Sequence, residues 1–389
     1  MKDSRKVRTV YLDHAATSWP KPLGVSEAMV RFLNEVGANP GRSAHTRSIE
    51  AARIVYGARE AVAELFGVED PSRVVFTLNL TEGLNLALRG LLRPGDHVIT
   101  SGLEHNAVMR PLRDLEVKGV ELTIAPHTEV GLLDLTQLET AIRPETKLIV
   151  INHASNVSGI LQPVSQIGKI ARTHDVLLLV DTAQTAGCFP IDLEGDQIDL
   201  VAFTGHKSMM GPMGTGGLVI GPRIDLASFE PLVRGGTGSR SESEEQPAFL
   251  PDRYESGTPN AVGLAGLEAG VRWVLKETVE KIRQHEVALM AQLLEGLREV
   301  PGLVVSGGGE AIDRTPTVSF QLPEIAASEV GLRLDEEHGV LCRVGLHCAP
   351  AAHQTLGTFP DGSVRFSIGP FVTPDEIEHA IAAVNAIAQ

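Results

Sequence analysis

The stretch Val176-Leu177-Leu178-Leu179-Val180-Asp181-Thr182-Ala183-Gln184, followed by Leu200-Val201-Ala202-Phe203-Thr204-Gly205-His206-Lys207, decides the fold. Each half opens with consecutive apolar residues and ends abruptly in polar, chemically capable ones. A run apolar on both faces suits a strand covered by helices on both sides, which is the habit of parallel sheets. Outward from this stretch, further β-rich runs stand at Arg73–Thr77, His97–Ser101, Glu121–Ala125, Lys147–Asn152 and Gly217–Ile220. Segments of helix length, such as Gly83–Leu92 and Pro163–His174, separate them. This alternation predicts an α/β fold with a large, mostly parallel seven-stranded sheet domain over residues 26–260. Residues 1–25 are expected to form an N-terminal segment packing near its functional edge.

The pattern changes after Pro259. A long amphipathic stretch, Ala261–Val300, leads into shorter strands near Leu303–Ser306, Thr317–Leu322, Gly339–Val344 and Ser363–Ile368, and a final helical run covers Pro374–Ala388. These features predict a smaller C-terminal α+β domain over residues 261–389, joined through one long helix. The segment Gly235–Pro251, rich in Gly, Ser and Glu, reads as an exposed excursion from the large domain.

Of 389 residues, 43% are hydrophobic and 21% charged, a globular balance with length for two domains. The formal charge of -15 repels phosphate backbones and anionic lipid, which argues against nucleic acid and membranes as partners. Met1–Arg8 is basic, but no apolar run of signal length follows it, and no stretch approaches the roughly 20 apolar residues that span a bilayer. Cys188, Cys342 and Cys348 are too few for a disulfide framework and form no Cys-x-x-Cys pair. The expectation is a cytoplasmic protein without a metal site.

The chemistry begins at Lys207. An ammonium just beyond a buried strand is costly unless it is paired or consumed, and imine formation consumes it. A lone lysine after a turn is ordinarily a surface residue; its neighbours change that reading. Asp181 ends the preceding strand, and in an open parallel sheet ligands bind beyond the carboxyl ends of strands, so Asp181 and Lys207 face one crevice. Pyridoxal 5'-phosphate (PLP) needs a lysine for its Schiff base and an acid that keeps its ring nitrogen protonated. Gln184 is placed to bond the ring oxygen. Asn79-Leu80-Thr81-Glu82-Gly83 follows a strand and opens a helix, an arrangement that favours an anion. Thr81, Thr204 and His206 are candidate phosphate donors. His105, in Glu104-His105-Asn106, sits at the same edge to stack on the ring, and Asn156, after the next strand, is placed to bond the ring oxygen or the substrate carboxylate. Each motif alone is weak; five successive strand ends carrying suitable groups are not.

Together these motifs resemble the class V aminotransferase superfamily, of fold type I, and within it the cysteine desulfurase and selenocysteine lyase branch. The resemblance starts at Tyr11-Leu12-Asp13-His14-Ala15-Ala16-Thr17 and runs over nearly the whole chain through Thr-Gly-His-Lys and Glu255-Ser256-Gly257-Thr258-Pro259-Asn260. It implies a PLP-dependent transferase and a homodimer in which Gly257 and Thr258 donate to the cofactor phosphate of the neighbouring subunit. Arg343-Val344-Gly345-Leu346-His347-Cys348-Ala349-Pro350 is similar to the cysteine loop of the second desulfurase group. The resemblance implies that Cys348 is the nucleophile that takes sulfur from L-cysteine as a persulfide, for transfer to an acceptor protein or thiol. Arg365 then clamps the substrate carboxylate, with Asn156, Arg343 and His45 as further substrate contacts. Lys207 and His105 complete the catalytic set, and Arg343 and His347 are potential cations beside the thiol. Leu80 stands where many desulfurases carry a hydroxyl, and Cys348 and Arg365 are spaced slightly wider than in familiar members. The alternatives are selenocysteine lyase, an aminotransferase or epimerase in which Cys348 is incidental, and a non-catalytic sulfur-carrier scaffold.

Overall fold

The computed structural model describes residues 9–41, 43–128, 130–240 and 242–389. The basic Met1–Arg8 lies outside them. The chain begins with β1 (Val10–Tyr11), α1 (Leu23–Arg31, prolonged by a π-helical turn over Phe32–Val36), α2 (Thr46–Leu65), β2 (Val74–Thr77) and α3 (Leu80–Leu91). It continues through β3 (His97–Ser101), α4 (Asn106–Val117), β4 (Glu121–Ala125), α5 (Leu135–Thr140), β5 (Thr146–Asn152) and α6 (Val164–Thr173). Next come β6 (Leu177–Asp181), β7 (Leu200–Thr204), β8 (Gly216–Ile220), α7 (Ala261–Glu277) and α8 (Val279–Arg298). The last part holds β9 (Val304–Val305), β10 (Thr317–Gln321), α9 (Ala327–His338), β11 (Val340–Leu341), β12 (Arg343–Gly345), α10 (Pro350–Thr355), β13 (Ser363–Ser367) and α11 (Pro374–Ala388).

The large sheet has seven strands in the order β2-β8-β7-β6-β5-β3-β4. Neighbours from β4 to β7 pair in parallel, while β8 runs antiparallel to both β7 and β2. No helix intervenes between β7 and β8, so β8 turns straight back beside its predecessor. Alternate residues of each strand serve opposite faces. Ile149, Ile151, Leu178 and Val180 join one core with Ala58, Val62 and Leu267 from α2 and α7. Leu148, Val150 and Leu179 join the other with Leu84, Leu88, Val108 and Leu112 from α3 and α4.

The four-stranded sheet β12-β13-β10-β9 is antiparallel and packs with α8, α9 and α11 into a separate core around Leu293, Phe320, Phe366 and Val384. Val10 and Leu12 belong to this core, and β1 pairs in parallel with β11. The N-terminal segment is thus stitched to the last third of the chain.

Packing shifts the change between the two cores away from the expected break at 260/261. The stretch Ala261–Val300 is two helices, not one, because Thr278 takes φ +67 and its side chain accepts from the Lys281 N–H to cap α8. Only α8 faces the small sheet; the buried face of α7 belongs to the large-sheet core. The run Gly339–Val344 is also split. Val340–Leu341 pairs with β1, whereas Arg343–Gly345 pairs with β13. The described residues between Gly235 and Pro251 are largely exposed and without regular structure, as the segment's composition suggests.

Candidate active site

A cavity of about 240 Å³ opens where β5, β6 and β7 end, α3 begins, and β12 and β13 of the small sheet approach. The topology alone brings Asn156, Asp181, Gln184, Thr204, His206 and Lys207 to its wall, with Thr81 and His105 beside them and Arg343 and Arg365 opposite. Asp181 is buried as the last residue of β6, its Oδ1 accepting the Ala183 N–H at 2.8 Å. Burial raises its carboxyl, while that hydrogen bond and the Lys207 charge lower it. Lys207 follows β7, and burial draws its ammonium down to about 8, against the pull of Asp181. A lysine so placed is readily neutral and nucleophilic.

His105 caps α4. Its Nδ1 accepts the Ala107 N–H at 3.0 Å, which leaves the proton on Nε2. Burial and the cations Lys207, Arg343 and Arg365 hold it neutral, at about 4. The adjoining Glu104 is wholly buried; its Oε1 accepts from Ser101 Oγ at 2.6 Å and from the Asn152 N–H at 3.0 Å. Burial pushes its carboxyl up to about 8. Gln184 Nε2 donates to the Ala15 carbonyl at 3.3 Å, and Asn156 Nδ2 to the His347 carbonyl at 2.9 Å.

The phosphate end has its own geometry. Asn79 caps α3 by accepting the Glu82 N–H at 3.0 Å, and Thr81 lies in the first turn beyond it. A Cβ on Gly216 would sit 2.8 Å from the Leu80 nitrogen, so glycine lets β8 close against the start of α3. Thr204 Oγ1 and His206 Nδ1 are buried without a partner among the described residues, and both residues line the cavity. An anion at this helix start would answer both.

Arg365 is buried in β13. Its Nη1 donates to the Asn156 carbonyl at 3.1 Å and its Nη2 to Asp13 Oδ1 at 2.9 Å. Its cross-strand neighbour is Arg343, whose Nη2 donates to Cys348 Sγ at 3.2 Å. Cys348 is exposed on the four-residue link between β12 and α10. His347 and Cys348 take φ +49 and +58, a left-handed pair without glycine. The Asn106 N–H holds the Cys348 carbonyl at 2.9 Å and Asn156 holds that of His347. Backbone of this kind persists only where its surroundings fix it.

One expected partner changes character. His347 is not a cation beside the thiol: burial, with Arg365, His353 and Arg343 nearby, drives its imidazole down to about 2. Its Nε2 pairs with Ser363 Oγ at 3.1 Å. Arg343 alone of the two carries charge to Cys348. Three further residues do not reach the Lys207 cavity within one chain. His45 caps α2, accepting the Ser48 N–H at 3.2 Å. Gly257 and Thr258 line a second cavity of about 570 Å³ on the outer side, with Tyr56, Leu78 and Leu232. The Gly257 N–H there donates to the Gly236 carbonyl at 2.8 Å.

Comparison with known proteins now bears on this geometry. The family described as Aminotransferase class-V matches residues 10–379. The chain belongs to the class-V aminotransferase family. Its relatives place it in the cysteine desulfurase branch. The chain is 34% identical over 389 residues to the cysteine desulfurase IscS of Vibrio campbellii, covering 97% of this chain and 92% of that one. The solved cysteine desulfurase of Thermococcus onnurineus NA1 superposes with a TM-score of 0.92 at 32% identity, over 98% of this chain and 94% of that one. The cysteine desulfurase CsdA of Escherichia coli gives 0.86 at 28% identity, covering 97% and 94%. PLP is the cofactor of this class-V family, and the residues present fit it: an uncommitted lysine, a buried acid, a neutral imidazole, a helix start and orphaned polar atoms on the lysine loop.

Three contributors were not assigned roles from sequence. Asp13 lies in the quoted Tyr11–Thr17 motif, and its conjunction with a distant arginine is visible only after folding. Glu104 stands next to His105 in its motif. Lys21, in Trp19-Pro20-Lys21-Pro22, carries no motif signal beyond its two prolines. Among the described residues no helix is long and apolar enough to cross a membrane.

Proposed function

We propose that this class-V protein is a PLP-dependent cysteine desulfurase in which Lys207 carries the cofactor and Cys348 accepts the sulfur. The observation that carries this is the Arg343–Cys348 contact on the strand that also aligns Arg365 over the Lys207 cavity. Bound there, PLP supplies an electron sink for the substrate α-carbon. Asp181 would hold the proton of the ring nitrogen, and His105, neutral, would face the ring without competing for charge. Gln184 and Asn156 would address the ring oxygen. Thr81, Thr204 and His206 would hold the phosphate.

Arg365 receives the α-carboxylate of L-cysteine. Lys207, drawn toward neutrality by burial, would move protons at the substrate's α- and β-carbons. The Cys348 thiolate attacks the substrate sulfur as the carbon–sulfur bond breaks, and the β-carbon takes up a proton. Cysteine and one thiol thus become L-alanine and one persulfide. An exposed Cys348 lets a second thiol collect that sulfur. A second copy of the chain, laid on the outer cavity, would bring Gly257, Thr258 and His45 toward the partner's phosphate and substrate, which explains why one chain does not. This reading supports the homodimer expected from the resemblance.

The test is alanine release from L-cysteine and L-selenocysteine by PLP-loaded protein, wild type beside Cys348→Ala. Cysteine turnover that disappears with Cys348 supports the proposal. Turnover of selenocysteine alone, unaffected by the substitution, replaces it with a lyase, and alanine from neither substrate removes both readings.

A further inference from the structure

The residues just after Asp13 do more than close the cavity floor. Thr17 Oγ1 donates to the His206 carbonyl at 3.0 Å, and the Ser18 N–H donates to the same oxygen at 3.0 Å. Lys21 Nζ donates to it at 2.8 Å and to Ser18 Oγ at 2.6 Å. Ser18 Oγ, so occupied as an acceptor, has the Lys207 carbonyl at 2.7 Å and the His206 carbonyl at 3.2 Å for its own proton, and the nearer oxygen is the better acceptor. Three donors therefore converge on one carbonyl, and a relay from Lys21 through Ser18 reaches the next. Ser18 is buried and Lys21 is half-buried. Lys21 forms no ion pair among the described residues, although partial burial draws its ammonium down to about 8.

We propose that Lys21 is a positioning residue for Lys207: its ammonium, through Ser18, fixes the backbone from which the cofactor lysine projects. The lysine loop is also held by the Gly205 N–H on the Thr215 carbonyl at 2.9 Å and the Gly211 N–H on the Gly205 carbonyl at 2.8 Å, neither of which touches the Lys207 peptide. Its turn is closed by the Met210 N–H to the Lys207 carbonyl at 2.9 Å, with Met210 at φ +60. Without the relay the Lys207 carbonyl keeps this single donor, and the direction of the side chain follows the peptide plane. Misplacement of a reacting group by about 1 Å lowers rate by up to about a hundredfold, whereas remote binding of the substrate carboxylate is untouched. The same strap also holds Gln184 through the Ala15 carbonyl and Arg365 through Asp13, but those contacts do not involve Lys21.

The proposal rests on Lys207 as the cofactor lysine, so the experiment separates the two. PLP-loaded wild type, Lys21→Met, Lys21→Arg, Ser18→Ala and the double variant Lys21→Met/Ser18→Ala are compared in kcat, KM for L-cysteine, Tm and visible circular dichroism per bound PLP. Borohydride-reduced samples are mapped by peptide mass. The expected result is PLP on Lys207 in every sample. Lys21→Met should lower kcat by about tenfold or more, with KM within about twofold, and alter the visible dichroism. Lys21→Arg should recover most of both, and Lys21→Met with Ser18→Ala together should be no worse than Lys21→Met. Wild-type kcat and dichroism in Lys21→Met would overturn the positioning role while leaving Lys207 in place. A kcat that falls only in proportion to folded protein would overturn it equally. PLP on another lysine would overturn both readings.

Discussion

Asp13→Asn isolates the charge on the Arg365 pair. Arg365 is 1% exposed and Asp13 23%, with 2.9 Å between Nη2 and Oδ1. Asparagine keeps an acceptor at that position, and the Asn156 carbonyl still holds Nη1, so the guanidinium stays aimed while its counter-charge disappears. Breaking a buried pair costs about 3–5 kcal/mol, and the partial exposure of Asp13 reduces this to about 2–3 kcal/mol. Tm should fall by several degrees. The same unpaired charge should welcome a carboxylate. If about 1 kcal/mol of the lost compensation returns on binding, L-alanine binds about fivefold more tightly to the variant than to wild type. Scanning calorimetry gives the first quantity and titration of the visible cofactor band the second. Lower stability together with weaker alanine binding would refute the argument, because it would mean that Asp13 aims Arg365 rather than neutralising it.

Arg343→Met removes the donor on Cys348 Sγ and should slow iodoacetamide labelling of Cys348 at pH 7.5 several-fold, with Cys342 and Cys188 as internal references; unchanged labelling would detach Arg343 from the thiol. Glu104 is protonated at neutral pH because burial lifts it from its usual 4.5 to about 8. A carboxyl raised on folding destabilises the fold progressively as pH climbs from its unfolded to its folded value. Wild type should therefore lose Tm relative to Glu104→Gln between pH 5 and 8, and parallel curves would show that the carboxyl is ionised throughout.

The inner parallel strands β5, β6 and β7 were legible because burial on both faces makes them apolar runs; the edge strand β4, largely exposed or half-buried, was legible from its β-rich composition instead. The cofactor edge was legible for a related reason, since each of its polar groups follows such a run directly. Helix α2 was not. Its buried face is largely Ala51, Ala58, Ala61 and Ala63, small residues that let α7 approach but give a weak hydrophobic signal. The break at Thr278 carries neither Gly nor Pro, so one long helix was the natural expectation. The division of β11 from β12 depends on partners far away in the chain, and so does the Asp13–Arg365 pair. The charge expected on His347 failed because desolvation depends on tertiary burial, which a local motif cannot reveal.

The pairing of β1 with β11 joins residues 10–11 to residues 340–341, and this has a consequence for birth order. On a ribosome that adds about 5–20 residues per second, β7 and Lys207 emerge on the order of ten seconds before β13 and Arg365. The sheet edge carrying Asp181 and Lys207 is then already synthesised, while the opening strand has no neighbour to pair with. Under the proposed assignment, the half of the pocket that would grip the cofactor comes off the ribosome first, and the half that would grip the substrate comes last.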